Sequence, residues 1–367
     1  MKILLVGEYS NVHWTLAEGL RVLGHEVTVL SDGDAWKNYQ RDIDLRRRSL
    51  GKLETLSYLA DVEFTISRMR GYDVVQIINP VFLDLKAEHI MRYYRKLRKQ
   101  NRKLFLGAFG IDRFWVSEGL KPDTFRYSDF YLNGQQRDYP FLHKMKQDWL
   151  EGAKGEINIE IANDCDGIIA GLYEYWRCYK GEYGHKLTYI PYPINTTRTT
   201  HIKPHPEYKG IRFFIGIQKT KDAYKGTDIM LSALEKLKKK YPEQMEIVKA
   251  ESVPFPEYRH LMNTSDVLLD QLYSYTPAMN GLLAMSKGLV LVGGGEEEYY
   301  ELQGEKDLRP IINVQPTEED VARQIEEQLL LKPENVKNLS EQSIAFIQHH
   351  HNHVKVARQY LDFWAVR

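Results

Sequence analysis

The chain opens on a short apolar run at residues 3–6, closed by Gly7, after which the period changes and Leu16, Leu20 and Leu23 recur on one helical face. Gly24 ends that helix, and residues 25–30 resume a strand rich in β-branched side chains. Strand, helix and strand in this order predict a βαβ unit and therefore a parallel sheet. Apolar runs at 74–78, 104–109, 167–170 and 187–190 alternate with helical stretches and extend the sheet to about residue 190. Residues 191–206 are proline-rich and follow neither period, which reads as a linker. The alternation then restarts, with strands at 211–215, 245–248, 267–269 and 289–292 separated by helices at 227–240, 256–263 and 277–286. Residues 318–331 and 340–364 are helical, with no strand between or after them. The expected organisation is an α/β protein with a first domain over 1–195, a second over 208–345, and a final helix over 346–367 returning to the first.

Composition narrows the function classes. A chain of 367 residues exceeds what one hydrophobic core usually supports, so two domains are expected. The charge is balanced at 50 Lys and Arg against 50 Asp and Glu, which argues against a dedicated nucleic-acid binder. Cys165 and Cys178 make neither a disulfide framework nor a metal-ligand spacing, and a reducing cytoplasm suits them. Glu8 interrupts the N-terminal apolar run before it reaches signal-peptide length. No window approaches the ~20 apolar residues of a membrane-spanning helix, so membrane contact is expected only at the periphery.

In parallel α/β sheets, ligands bind beyond the carboxyl ends of the strands, where helix N-termini hold phosphate. The loop Gly7-Glu8-Tyr9-Ser10-Asn11 lacks the dinucleotide glycine spacing, and no P-loop occurs anywhere in the chain. These absences leave a mononucleotide diphosphate held between domains as the fitting ligand. Residues 218–227 offer a clamp for it: Lys219 or Lys221 follows a strand, and Lys225-Gly226 opens a helix. A leaving diphosphate gains charge in the transition state, so such cations are catalytic without transferring a proton.

Several segments carry a resemblance. Gly24-His25-Glu26-Val27, Gly110-Ile111-Asp112, Ile190-Pro191-Tyr192-Pro193-Ile194 and Lys225-Gly226-Thr227-Asp228 occur in that order. Residues 265–271, 282–288 and 351–357 follow them. Together they resemble the motifs of family 4 (group 1) glycosyltransferases over almost the whole chain. The resemblance implies a GT-B fold of two Rossmann-like domains facing across a cleft. It also implies transfer of a sugar from a nucleotide-sugar, with retention of configuration and without a metal ion or other cofactor. The first domain would bind a glycan, lipid-linked or small-molecule acceptor, and the second the donor. Lys225 with Lys219 or Lys221 would hold the diphosphate, and Asp112 would face the sugar.

Three positions depart from that pattern. The family's glutamate-x7-glutamate pair falls on Tyr275 and Leu283, and the histidine before the glycine-x-aspartate loop is Phe109. Asp270, Asn280 or the cluster Glu296-Glu297-Glu298 after Gly293-Gly294-Gly295 are the nearest substitutes. The departures also motivate a second reading, a catalytically silent homologue that binds a nucleotide-sugar or a partner protein. A nucleotide-sugar epimerase is the third, without an obvious set of carboxylates for it.

On the acceptor side the candidates are Gly7, Glu8, Tyr9, Arg113 and Trp115, together with a long irregular stretch over 116–155 containing residues 126–131. The basic stretch 91–103 would suit contact with anionic lipid, or simply a solvated helix face. His349, His350, His351 and His353 include an i, i+4 pair, but no carboxylate or cysteine stands nearby in sequence to complete a metal site.

Overall fold

The computed structural model describes residues 1–49, 51–197, 210–217 and 222–367. They divide into two compact units, one of Met1–Glu118, His143–Asn195 and His353–Arg367, the other of Gly119–Leu142 and Thr196–Asn352.

The first unit begins β1 (Lys2–Val6), α1 (Val12–Val22), β2 (Glu26–Ser31), β3 (Ile43–Asp44), α2 (Lys52–Arg68), β4 (Val74–Ile77), α3 (Ala87–Gln100), β5 (Lys103–Ala108) and α4 (Arg113–Gly119). The chain then contributes a hairpin, β6 (Tyr131–Leu132) and β7 (Gln135–Gln136), and the start of α5 (Pro140–Lys146) to the second unit. It resumes in the first with α6 (Ala153–Asp164), β8 (Gly167–Ala170), α7 (Tyr173–Tyr183) and β9 (Leu187–Tyr189). The seven strands pair in parallel in the order β3-β2-β1-β4-β5-β8-β9. All four residues of β4 and of β8 are buried, as strands covered on both faces require.

The second unit continues with β10 (Ile211–Ile217), α8 (Asp222–Lys225), α9 (Thr227–Lys240), β11 (Met245–Glu251), α10 (Phe255–Asn263), β12 (Val267–Leu269), α11 (Met279–Ser286) and β13 (Val290–Gly293). It closes with α12 (Glu297–Gln303), β14 (Ile311–Asn313), α13 (Glu318–Ile325) and α14 (Asn335–Phe346). Five parallel strands lie in the order β11-β10-β12-β13-β14. Phe213, Ile215, Met230, Leu234, Val267, Val290 and Ile325 form the centre of one continuous core.

Two expectations change over residues 116–155. The stretch 116–155 is not irregular, since it holds the β6–β7 hairpin and α5. The hairpin turns at Asn133-Gly134, both at positive φ (52° and 72°), the Asn-Gly chemistry of a two-residue hairpin turn. Residues 119–142 also pack with the second unit, inside the span assigned to the first domain, because their apolar side chains find partners there. Leu132 packs against the second core, Phe125 and Tyr127 against Tyr275, and Phe141 against Tyr224.

The single helix expected over 340–364 is two. α14 runs into a wider turn at 347–351, Asn352 leaves helical geometry at φ −57°, ψ 121°, and α15 (His353–Val366) belongs to the first unit. There α15 packs on α1, Phe105 meets the rings of Phe363 and Trp364, and Lys103 Nζ donates to the Trp364 carbonyl at 2.7 Å.

Candidate functional site

In the second unit, the carboxyl ends of β10 and β12 bring together a polar group. Gly226 stands at φ 70° before α9, and a Cβ there would lie 2.7 Å from the Leu272 side chain, so only glycine fits this turn. The turn is fastened to the loop after β12 by the Leu272 N–H, which donates to the Lys225 carbonyl at 3.0 Å. Asp270 directly follows β12. Burial raises its carboxyl above the usual range, while the Lys225 charge, the Asn280 side chain and nearby backbone N–H groups act in the opposite direction. Its Oδ2 atom and the Thr227 hydroxyl are buried without hydrogen-bond partners. Tyr258 of α10 closes the group, its ring packed at 5.0 Å from that of Phe214. Lys225, Asp270 and Asn280 are thus brought together, and Tyr258 is an addition that no sequence signal distinguished from ordinary packing. Lys219 and Lys221 lie outside the described residues.

Beyond β13, the glycine-rich turn has an internal reason. A Cβ on Gly294 would sit 1.9 Å from the Ser274 carbonyl oxygen, so the turn lies directly on the chain leading to Tyr275. Glu296 is buried and accepts the Tyr127 hydroxyl at 2.5 Å, Arg126 Nη2 at 2.6 Å and Gln315 Nε2 at 2.9 Å. Burial acts to raise its carboxyl, but these donors with Asn313 hold it below the usual range. Glu298 also binds Arg126, and Glu297 pairs with Arg309 at 2.7 Å. Tyr275 is buried beneath the same segment, with the Arg126 guanidinium 5.0 Å from its ring centre. Farther along, Arg137 lies 3.7 Å from the Tyr273 ring centre. Residues 119–142 therefore form a strap over the loops that follow β12 and β13, reaching Tyr224 beside Lys225. Leu283 is half-buried on α11.

In the first unit, Glu8 follows β1 and accepts the His13 and Trp14 N–H groups at the start of α1, at 3.2 and 2.9 Å. Burial still pushes its carboxyl up to about 8. His13 has Nδ1 2.8 Å from the Gly7 carbonyl oxygen and Nε2 3.1 Å from the Gln76 amide nitrogen, and burial lowers it to about 3. Tyr9 is half-buried and donates to the Val81 carbonyl. Five of the seven non-glycine residues at positive φ, among those described, are Ser10, Asn11, Asp34, Ala35 and Asn38, in the loops after β1 and β2. The Ser10 N–H donates to Asp34 at 2.8 Å and joins the two loops.

Asp112 is fully buried. It accepts the Trp115 N–H at 2.8 Å, as an N-cap of α4 does, and the Tyr179 hydroxyl at 2.7 Å. Burial outweighs these bonds and raises its carboxyl to about 6. Asn158 completes the network, bonding the Tyr179 hydroxyl and the Arg113 N–H. The Arg113 side chain reaches the carbonyls of Trp149 and Leu150, and Trp115 is buried against Tyr175. Phe109 packs edge-on to Tyr192.

The histidine run separates. His350 pairs with Glu305 at 2.6 Å, and His351 bonds Tyr299 and Gln303. His353 starts α15 in the first unit, its N–H on the Ile194 carbonyl. Among the described residues no group of three or more metal-binding side chains converges, and no helix is long and apolar enough to cross a membrane.

No protein-family model and no curated protein matches the chain. Solved structures do match it over its full length. The Anabaena protein HepE, solved with UDP and glucose, aligns with a TM-score of 0.61 at 13% identity over 100% of both chains. Sucrose-phosphate synthase from Thermosynechococcus elongatus gives 0.61 at 13%, again over 100% of both. The catalytic domain of Arabidopsis thaliana starch synthase IV, bound to ADP and acarbose, gives 0.57 at 11% over 100% of this chain and 99% of that one. What the chain shares with them is the fold, a GT-B architecture of two Rossmann-like α/β domains.

Proposed function

We propose that the protein transfers a sugar from a nucleotide-sugar to a glycan, lipid-linked or small-molecule acceptor, with retention of configuration and without a metal ion. One observation carries the reading: Lys225, the turn at Gly226, Thr227, Asp270 and Asn280 gather at the carboxyl ends of β10 and β12, where parallel sheets receive ligands. HepE with its UDP and starch synthase IV with its ADP lend support, since both share the fold.

In this reading the N–H groups at the start of α9 and the Lys225 ammonium hold the diphosphate, with Lys219 or Lys221 as a second cation. They stabilise the charge that develops as the sugar–phosphate bond breaks. Asp270 and Asn280 offer hydrogen bonds to hydroxyls of the donor. Glu296 and Glu297 serve through the strap and the Arg309 pair, shaping the loop after β13. Gly7, Glu8 and Tyr9 lie at the carboxyl end of β1 and supply the acceptor side.

A second reading, a silent homologue that binds nucleotide without turnover, is favoured by Tyr275. This residue occupies the first family glutamate position and is committed to packing beneath the strap. A panel of nucleotide-sugars followed by mass spectrometry separates the two. Hydrolysis or transfer from any donor supports the enzyme. Tight nucleotide binding with no turnover across donors and acceptors supports the silent homologue.

A further inference from the structure

Helix α2 carries apolar residues on two opposite faces. Tyr58, Val62 and Ile66 are buried, while Leu53, Leu56 and Phe64 are 79%, 65% and 63% exposed. At 3.6 residues per turn, Leu53, Ala60 and Phe64 fall within about 40° of one another, diametrically opposite Val62. Leu56 stands about 60° to one side of Leu53, so three of the large exposed hydrophobics among the described residues share the solvent-facing side of a single helix as one broad stripe. Isolated exposed leucines need no explanation, but a stripe of this kind does.

The surroundings are cationic. Residues 46–70 and 87–103 contain thirteen Lys and Arg against four Asp and Glu, in a chain of zero net charge. α3 packs beside α2, tied to it by Arg92 and Lys96, which share Glu63. Arg95 pairs with Glu160, and Arg98 with Asp164 and Asp166. Counting those three carboxylates as well brings the acidic residues only to seven, so a clear positive excess remains. Arg92, Arg95, Lys99 and Arg102 are exposed on or just after α3, and Arg68 lies 5.1 Å from the Phe64 ring centre.

We propose that the α2–α3 face rests on an anionic lipid surface. Leu53, Leu56 and Phe64 enter the boundary between headgroups and acyl chains, and the surrounding cations meet lipid phosphates. The charge selects this occupant, because a second copy docked symmetrically on the same stripe would bring two cationic surfaces together. The proposal is independent of the sugar-transfer reading, since it uses none of the residues assigned to that site.

The test is co-sedimentation of the full chain with vesicles of phosphatidylcholine alone or with added phosphatidylglycerol, at low and high salt. The expected result is binding to the anionic vesicles only, reversed by salt. Leu53→Ser with Phe64→Ser should lower the partition coefficient by at least about tenfold. Circular dichroism and melting should not change, because both side chains are exposed. Lys99→Glu with Arg102→Glu should weaken binding and flatten its salt dependence. Absence of binding to anionic vesicles at low salt would overturn the proposal, as would binding indifferent to the Leu53 and Phe64 changes. Self-association, or capture of an acidic protein, that is lost with those two substitutions while vesicles are ignored would assign the stripe to a protein partner and overturn it equally.

Discussion

The Tyr275 hydroxyl accepts the backbone N–H of Arg126 at 2.7 Å, although 149 positions separate the two residues in the chain. The same arginine bonds the buried Glu296 and the partly exposed Glu298 with its guanidinium. A tyrosine at a position where the resembled family has a glutamate is thereby a docking point for residues 119–142. The carboxylates that sequence alone offered as its replacement hold the other end of the same contact.

Removing the Arg126 side chain is expected to loosen the strap and leave Glu296 with fewer donors. Because the arginine side chain is half exposed, the cost is about 1 kcal/mol of unfolding free energy and not that of a fully buried pair. Urea denaturation of Arg126→Ala beside Arg126→Lys checks this. Lysine retains the charge without the forked geometry, so it should recover only part of the loss.

Lys225→Ala should weaken binding of UDP or ADP by roughly 1.5–3 kcal/mol, the worth of a charge-assisted hydrogen bond. The turn itself should survive, since its link to Leu272 runs through the backbone carbonyl. Calorimetry with unchanged affinity would move the diphosphate away from α9.

Asp112→Asn and Asp112→Ala should differ. Asparagine caps a helix nearly as well as aspartate but has one acceptor oxygen, so its amide nitrogen would face the Tyr179 hydroxyl and the first variant should lose about 1 kcal/mol. The second loses the cap and leaves Tyr179 without its acceptor, a cost of about 2–3 kcal/mol. With both carboxylate oxygens engaged inside the first unit, turnover of the asparagine variant should remain within a few-fold of the parent. A sharp loss of turnover in the folded asparagine variant, at unchanged nucleotide affinity, would return Asp112 to the sugar-facing role implied by the family resemblance.

Glu8 sets a pH dependence. Its carboxyl lies at about 8 in the folded chain against an ordinary value of 4.5, so the folded state holds a proton that the unfolded state releases between those values. Its contribution to stability is complete below the lower value and is lost as pH rises through the upper one. Melting temperature should therefore decline across that window, and Glu8→Gln should flatten the decline. A slope that is unchanged in the variant would assign it to other groups.

Metal chelation should leave sugar transfer intact, because the proposed site neutralises the leaving diphosphate with lysine and helix N–H groups. Turnover lost to EDTA and restored by magnesium or manganese would refute this.

Periodicity along the chain reaches far in this protein because parallel strands covered on both faces must be mostly apolar, and β8 and β13 are apolar throughout while β1 and β4 each carry one polar residue, Lys2 and Gln76. The restart of the alternation at β10 and the lysine-glycine opening of α9 are equally local, since a turn that admits only glycine is written in the sequence. The Asn133-Gly134 turn is also local chemistry, but the expectation of an irregular stretch over 116–155 misses it, because its flanking strands are only two residues long. What the tertiary structure alone decided is partnership. Nothing near Phe125, Arg126 or Tyr127 in sequence says that their burial is completed by Tyr275 and Glu296, and nothing near Asp112 announces Tyr179 and Asn158. A carboxylate in a loop reads alike whether it awaits a ligand or already accepts a tyrosine hydroxyl, because the difference lies in atoms supplied from distant parts of the chain. Apolar periodicity determines which face of an element is buried, and the packing of side chains remote in sequence determines which polar groups are left to meet a ligand.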